Sequence, residues 1–542
     1  MLSVAIILGI AAAGLAVARW RGISAIPVLI VGGLVLNATG ALAAGGELRD
    51  LLLLGVTFLV FVVGAELDPR RVGDQRRPAL IIGLGQFLLL GAIGVGAVRL
   101  LGMDWLTAAY LALAITASST LLGVTLLRQR EQVFEPVGRL VVGVLLVQDL
   151  LVILLLPALM RASDGSGSVL FALLGTVGLM GLAVVCARWI APWLILRLKL
   201  EQESLLLTVL ALLFLFVGAA HWLKLPMVTG AFLAGVSLSR FPIRGLVRGQ
   251  LTSLADFFLA VFFVALGALV TLPGPRELLA VGLVLLAVVA LAPPVVMILA
   301  RYTGASPRSA VETGHLLAQC GEFGIVVVLL GVQAGHISPK ILSIVVMVCV
   351  VTMGLTPLLT HDAVTWRIMH GLAKLKRPTV SRHRDHVLFL GCGAHVPPLI
   401  RRLHAAGHEV VAVDEDALAL QHAEASGAVA IRGDGADLRV LRAAQARHAR
   451  VIVSTMRRIE DNQRLLHFVR GPQGPRVLVR VFSRLEAETI RSAGGEAIVE
   501  ANALAETFFA WLDQTTPAPV SDNVTPTPAH ERSNTQHQHD ES

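Results

Sequence analysis

Between Leu2 and Thr360 one apolar run follows another, each close to the roughly 20 residues that a helix needs to cross a bilayer. Lipid offers no partner to backbone N–H and C=O groups, so runs of this kind must fold as transmembrane helices. Dividing the stretch at its charged and Pro/Gly connectors predicts thirteen spans, near 2–18, 24–43, 50–67, 79–100, 105–127, 139–160, 168–196, 203–222, 225–239, 254–272, 277–300, 309–334 and 339–360. With 55% hydrophobic and only 15% charged residues, the 542-residue chain has too little polar surface for a soluble protein. The exception is 382–513, whose composition is that of an ordinary globular domain, while 514–542 hold Pro, Thr, His and Asn with little to bury. The expected organisation is a transmembrane domain at 1–361, a linker at 362–381, an α/β domain at 382–513 and a disordered tail at 514–542.

The connectors test the count. If the N-terminus lies outside, the inner connectors carry sixteen Lys and Arg residues, from Arg19 and Arg21 to Arg301 and Arg308, and the outer ones six. That is the bias of the positive-inside rule, and an odd number of spans then delivers the C-terminal domain to the cytoplasm. The expected location is the cell's inner membrane. The formal net charge of +8 follows from this topology, so nucleic-acid binding is not needed to explain it. The run 2–17 lacks a preceding basic residue and is read as a first helix, not a cleaved leader. Cys186, Cys320, Cys349 and Cys392 are scattered without metal-ligand spacing, which predicts reduced thiols and no metal.

Two pairs of segments repeat. "IPVLIVGGLVLN" from Ile26 matches "LPMVTGAFLAGVSL" from Leu225, and "FLVFVVGAEL" from Phe58 matches "LAVFFVALGAL" from Leu259. Spans 2–6 therefore recur as spans 9–13, and because seven is odd the two copies run in opposite directions. Inverted repeats place a site near the bilayer midplane, where helices are interrupted. Corresponding interruptions are expected in "ITASSTLLG", with Thr116, Ser118, Ser119 and Thr120, and in "AQCGEFG", with Glu322 between two glycines. The hydroxyls either line a site or bond back to their own helix carbonyls. Glu322 either titrates or compensates exposed helix ends.

Span 6 carries "LLVQDLLVILLL", with Gln148 and Asp149 at mid-depth, where a charge is costly and by default marks an ion pathway. A lone carboxylate there can hold either a proton or an alkali ion. That exclusive occupancy couples the two, provided the protein changes facing only when the site is filled. The other possibility is an Asp satisfied by a neighbouring amide or hydroxyl. With no second carboxylate beside Asp149, the simplest expectation is one cation exchanged per proton.

The stretches "GAELDP" at 64–69, "ASSTLLG" at 117–123, "GRLVVGVLLVQD" at 138–149, "GAFLAGVSL" at 230–238, "FFVALG" at 262–267 and "AQCGEFGIVV" at 318–327 resemble the monovalent cation:proton antiporter-2 family, especially its Kef-type potassium efflux branch. The resemblance implies a homodimeric thirteen-helix antiporter for K⁺ or Na⁺ and H⁺, with a dimerisation part, a moving core, and Gln148 and Asp149 as the family's Gln-Asp pair. The chain departs from many relatives in having Ala292, Pro293 and Pro294, and no Lys, in the helix before Arg301.

From His386, "HVLFLGCGAHVPPLIRRLHAAGHEVVAVDED" reads strand, Gly-rich turn, helix, strand, acid. Gly391 and Gly393 would admit a phosphate, and Asp414, with Glu415 beside it, could take ribose hydroxyls. Val396 stands where a third glycine would be. Further strands in 428–444, 450–455 and 476–481 complete a Rossmann-like order that resembles the TrkA-N type of the regulator of potassium conductance domain. That resemblance implies a regulatory nucleotide, NAD(H) or AMP, with Asp434 in the loop facing it. A catalytic dehydrogenase is disfavoured because no catalytic residues accompany the sheet. A potassium channel with the same regulator would need a TVGYG-like filter, which the chain lacks. A sensor that no longer transports would have a dispensable Asp149.

Overall fold

The structure, a computed structural model, describes residues 2–21, 23–39, 46–66, 69–100, 102–130, 132–133, 135–197, 202–239, 243–271, 274–372, 383–393, 395–471 and 474–515. The chain divides into two compact units, Met1–Leu375 and Lys376–Ser542. The tail with His530, His537 and His539 lies outside the described residues.

The first unit is helical throughout: α1 (Leu2–Arg21), α2 (Ala25–Ala38), α3 (Gly46–Glu66), α4 (Arg76–Leu100), α5 (Trp105–Thr116), α6 (Thr120–Gln129), α7 (Pro136–Met160), α8 (Ser166–Val185), α9 (Gln202–Trp222), α10 (Met227–Leu238), α11 (Ile243–Leu269), α12 (Pro275–Tyr302), α13 (Pro307–Leu316), α14 (Glu322–Gln333), α15 (Pro339–Leu359) and α16 (Asp362–Leu372). Counting α5 with α6 and α13 with α14 as two interrupted helices, α1–α15 make the thirteen predicted spans. Among the described residues eight spans are long and apolar enough to cross a membrane on their own, which makes this a multi-pass membrane protein. Two boundaries differ from expectation. Helix α11 starts at Ile243, ahead of the predicted 254, because hydropathy marks entry into lipid and not the first helical hydrogen bond. Residues 362–372, expected as linker, form α16, with Thr365, Trp366 and Met369 buried.

The repeated segments pack on one another. Helix α2 crosses α11 at Gly33 and Gly267, where a Cβ on either would come within 2.1 Å of a backbone oxygen of the other helix. Helix α3 crosses α10 at Gly64 and Gly235 in the same way, with clashes at 2.3 and 2.1 Å. Each pair joins the first span of one copy to the second of the other. In lipid such glycines replace hydrophobic drive with close backbone contact.

The second unit is a parallel sheet flanked by helices: β1 (Val387–Leu390), α17 (Val396–Ala405), β2 (Val410–Asp414), α18 (Ala417–Glu424), β3 (Val429–Arg432), α19 (Leu438–Ala443), β4 (Val451–Ser454), α20 (Ile459–Val469), β5 (Arg476–Val481), α21 (Arg484–Ser492), β6 (Glu496–Val499) and α22 (Glu500–Thr515). The strand order is β3-β2-β1-β4-β5-β6, a Rossmann-like arrangement with its switch point between β1 and β4. Alternate residues feed two cores. Leu388, Leu390, Val411 and Val413 pack with residues of α19–α21, and Val387, Phe389, Val410 and Ala412 with α17 and α18. The period-two alternation of strand side chains thus covers both faces with helices.

Candidate functional site

The two interruptions meet. Ala117–Ser119 and Leu317–Gly321 leave the helical path, and the Gly321 N–H donates to the Ala117 carbonyl at 2.7 Å while the Ser118 hydroxyl donates to the Leu317 carbonyl at 2.8 Å. Gly321 is required there, since a Cβ would fall 2.5 Å from the Ser118 carbonyl carbon. Ser119 caps α6 by accepting from the Leu122 N–H at 3.3 Å. The C-terminal ends of α5 and α13 and the N-terminal ends of α6 and α14 therefore converge, bringing unsatisfied carbonyls and N–H groups to one depth.

Asp149, on α7, is fully buried beside this crossing. Its Oδ2 accepts from the Thr120 hydroxyl at 2.9 Å, and its Oδ1 has no hydrogen-bond partner among the described residues. Gln148 uses Oε1 to accept from the Ser118 N–H at 3.1 Å, leaving Nε2 without a partner. Glu322 accepts at Oε1 from the Leu121 N–H in the first turn of α6, at 3.2 Å, while Oε2 is buried and unpartnered. Its carboxylate therefore lies against the positive end of a helix from the other repeat. Asp149 and Glu322 thus meet neighbouring residues of α6, Thr120 and Leu121. A buried polar atom without a partner costs ~1–3 kcal/mol, so Asp149 Oδ1, Gln148 Nε2 and Glu322 Oε2 are the groups here still open to a further polar partner.

The hydroxyl run does not act as a block. Thr120 alone touches Asp149. Ser118 and Ser119 hold the crossing together, and Thr116 bonds back to the Ala112 and Leu113 carbonyls at 3.0 Å each. Gln319 of the "AQCGEFG" segment also belongs here, with Thr352 and Thr356 of α15, which the sequence reading does not single out. Thr352 of α15 accepts from the Cys320 N–H at 3.2 Å, and Gln319 donates to the Leu316 carbonyl at 3.1 Å and meets Thr356 at 3.5 Å. Their signal was present in the four-residue spacing of Thr352, Thr356 and Thr360, which puts three hydroxyls on one face of α15. No group of His, Cys, Asp and Glu able to hold a metal occurs among the described residues.

In the second unit the loops after β1, β2 and β3 bring Gly391, Gly393, Asp414, Glu415 and Asp434 to the carboxyl ends of neighbouring strands. Gly391 has φ +88° and faces the Thr455 hydroxyl, 2.4 Å from where a Cβ would be, so only glycine fits. Gly393 has open space at its Cβ position. Asp414 accepts from the Cys392 N–H at 2.6 Å with Oδ2 and from the Asp416 N–H at 2.9 Å with Oδ1. Asp434 accepts from the Ala436 N–H at 2.8 Å. Val396 in place of a third glycine is buried at the start of α17. Thr455, after β4, closes the other side of the crevice and was not evident from the sequence. Burial, with Asp414 nearby, pushes the Cys392 thiol up to about 12, so it stays protonated and unreactive at neutral pH.

Comparison with known proteins adds the following. The family profile described as sodium/hydrogen exchanger, transmembrane, matches residues 3–364, and that of the TrkA-N domain matches 387–501. The solved sodium proton antiporter MjNhaP1 from Methanocaldococcus jannaschii aligns at 14% identity over 67% of this chain and 97% of its own, with a TM-score of 0.54, a likeness of fold. The TrkA-N domain of the inner membrane protein ybaL from Escherichia coli aligns at 18% identity over 24% of this chain and 99% of its own, with a TM-score of 0.23. An NAD(P)-binding domain from Archaeoglobus fulgidus aligns at 25% identity over 24% of this chain and all of its own, with a TM-score of 0.23.

Proposed function

The chain belongs to the transmembrane sodium/hydrogen exchanger family, and from that premise we propose that it is a secondary active antiporter exchanging K⁺ for H⁺ at Asp149, regulated by a nucleotide at its TrkA-N domain. The observation that carries the reading is the unpartnered Oδ1 of a fully buried Asp149 beside two crossed, interrupted helices. A carboxylate so placed takes a proton or a cation, and not both. Thr120 supplies a hydroxyl oxygen next to it, and the interruptions bring the carbonyl ends of α5 and α13 to the crossing, the ligand types that hard alkali ions take. Gln148 orients the first interruption through the Ser118 N–H, and Glu322 steadies the N-terminal end of α6. Exchange follows if the protein changes facing only with Asp149 occupied.

The TrkA-N crevice is assigned to NAD(H) or AMP. The phosphates would lie at Gly391 and Gly393, the ribose at Asp414 and Glu415, and Asp434 opposite. Bound nucleotide acts through a difference in affinity between two arrangements of the protein. The protein works as a homodimer in the inner membrane, with the N-terminus outside and the TrkA-N domain in the cytoplasm.

Everted vesicles carrying the protein are expected to dissipate a preset pH gradient when K⁺ is added, and less readily with Na⁺. Asp149→Asn is expected to abolish this at normal protein yield. Unchanged exchange in that variant would remove the site assignment, and a preference for Na⁺ would reassign the cargo.

A further inference from the structure

Both interrupted helices are tied to one corner of the first unit, at the end opposite their crossing. Arg130, the residue that ends α6, donates to the Thr360 hydroxyl at 3.0 Å. Thr360 ends α15 and is itself buried. Two residues on, Asp362 begins α16 and lies 3.9 Å from the Arg308 guanidinium in the first turn of α13. Arg308 is 6% exposed, bonds Glu312 at 3.0 Å, and stacks its guanidinium over the Trp366 ring of α16 at 5.1 Å. The residues from Thr360 to Trp366 thus hold the far ends of both half-helices that lead into the ion site.

We propose that this corner is a mechanical joint, in which Arg130 and Arg308 are positioning residues that set α6 and α13, and through them the crossing at Asp149, according to the placement of the turn that joins α15 to α16. The chemistry favours a joint over plain packing. An Arg buried against a carboxylate and an indole face is directional, and its planar guanidinium fixes the orientation of the helix that carries it. Helices α6 and α13 are short segments, each separated by the break from the helix that continues it. A displacement of the turn between α15 and α16 is therefore delivered to both halves at once, from opposite repeats. The chain continues from α16 into the second unit, so the joint lies on the covalent route between that unit and the ion site. The functional arm of this proposal rests on the antiport reading; the structural arm does not.

The test uses the full chain. Asp362→Asn with Trp366→Leu severs the α13 tie, and Thr360→Val severs the α6 tie. Both leave the buried Arg308–Glu312 pair intact, and the melting temperature in detergent checks that the fold is kept. Hydrogen exchange is expected to rise about twofold to thirtyfold in 307–316 for the first variant and in 120–129 for the second, the usual span of coupling effects. In vesicles the half-saturating cation concentration is expected to shift by a similar factor with the maximal rate little changed, which a loss of fold would not produce. Arg308→Lys, which keeps the charge at Glu312 but loses the flat face over Trp366, is expected to fall between wild type and the first variant. Unaltered hydrogen exchange in the two half-helices would overturn the joint. A wild-type protein without exchange activity would sink the antiport reading and leave the hydrogen-exchange result to decide the joint alone.

Discussion

Asp149 and Asp414 are both acids at the heart of a candidate site, and the structure treats them in opposite ways. Asp149 is sealed in a helical bundle with one oxygen left unpartnered. Asp414 stands at a strand end with each oxygen already engaged by a backbone N–H of its own unit. In lipid the free oxygen is expensive to keep, so its persistence points to an occupant that arrives and leaves. In the α/β unit the acid is first a brace for the Gly-rich turn, and a ribose would use its remaining lone pairs. The first site is defined by what is missing around it, and the second by how firmly its loops are held.

The contrast can be broken most severely at the crossing. Gly321→Ala is expected to cost about 3 kcal/mol, since its Cβ has backbone and not a flexible side chain in its way. Both the melting temperature in detergent and the exchange rate would fall, and a variant with normal exchange would show that the crossing is looser than described. Next comes Asp414→Ala, which removes a charged acceptor and strands the Cys392 N–H. Titrating NAD⁺, NADH and AMP against the α/β unit is expected to show affinity weakened by about 1.5–3 kcal/mol, and equal affinity in the variant would move the ribose elsewhere. Thr120→Val takes away the one hydroxyl on Asp149. It is expected to raise the half-saturating cation concentration several-fold, about 1 kcal/mol. The smallest effect belongs to Thr116→Val, whose hydroxyl serves only its own helix. Less than about 0.5 kcal/mol in stability is expected, with unchanged exchange kinetics. Similar effects from Thr116→Val and Thr120→Val would erase the distinction between the two hydroxyls.

That distinction also marks how far the sequence could be read. The thirteen spans, the paired glycine segments and the two interruptions were legible because hydropathy, glycine and clustered hydroxyls leave local traces. The strand–turn–helix–strand order of the α/β unit was legible for the same reason. Which hydroxyl faces Asp149 was not, because helical phase is lost wherever a helix stops and restarts, and Thr116 and Thr120 sit on either side of such a stop. The reach of Glu322 to the Leu121 N–H, and of Ser118 to the Leu317 carbonyl, joins residues some 200 positions apart. No local pattern reports such contacts. Thr455 was missed because its role exists only once β4 lies beside β1. Helix α16 reads as linker in the sequence because its short amphipathic pattern is buried by Arg308, a partner that composition does not reveal.

The central claim is that a cation and a proton compete for Asp149, and proton release measures it directly. Adding K⁺ to purified, weakly buffered protein is expected to acidify the solution by up to one proton per chain, and Asp149→Asn to give none. Equal release from both proteins, or cation binding by the wild type without any proton leaving, would contradict the account.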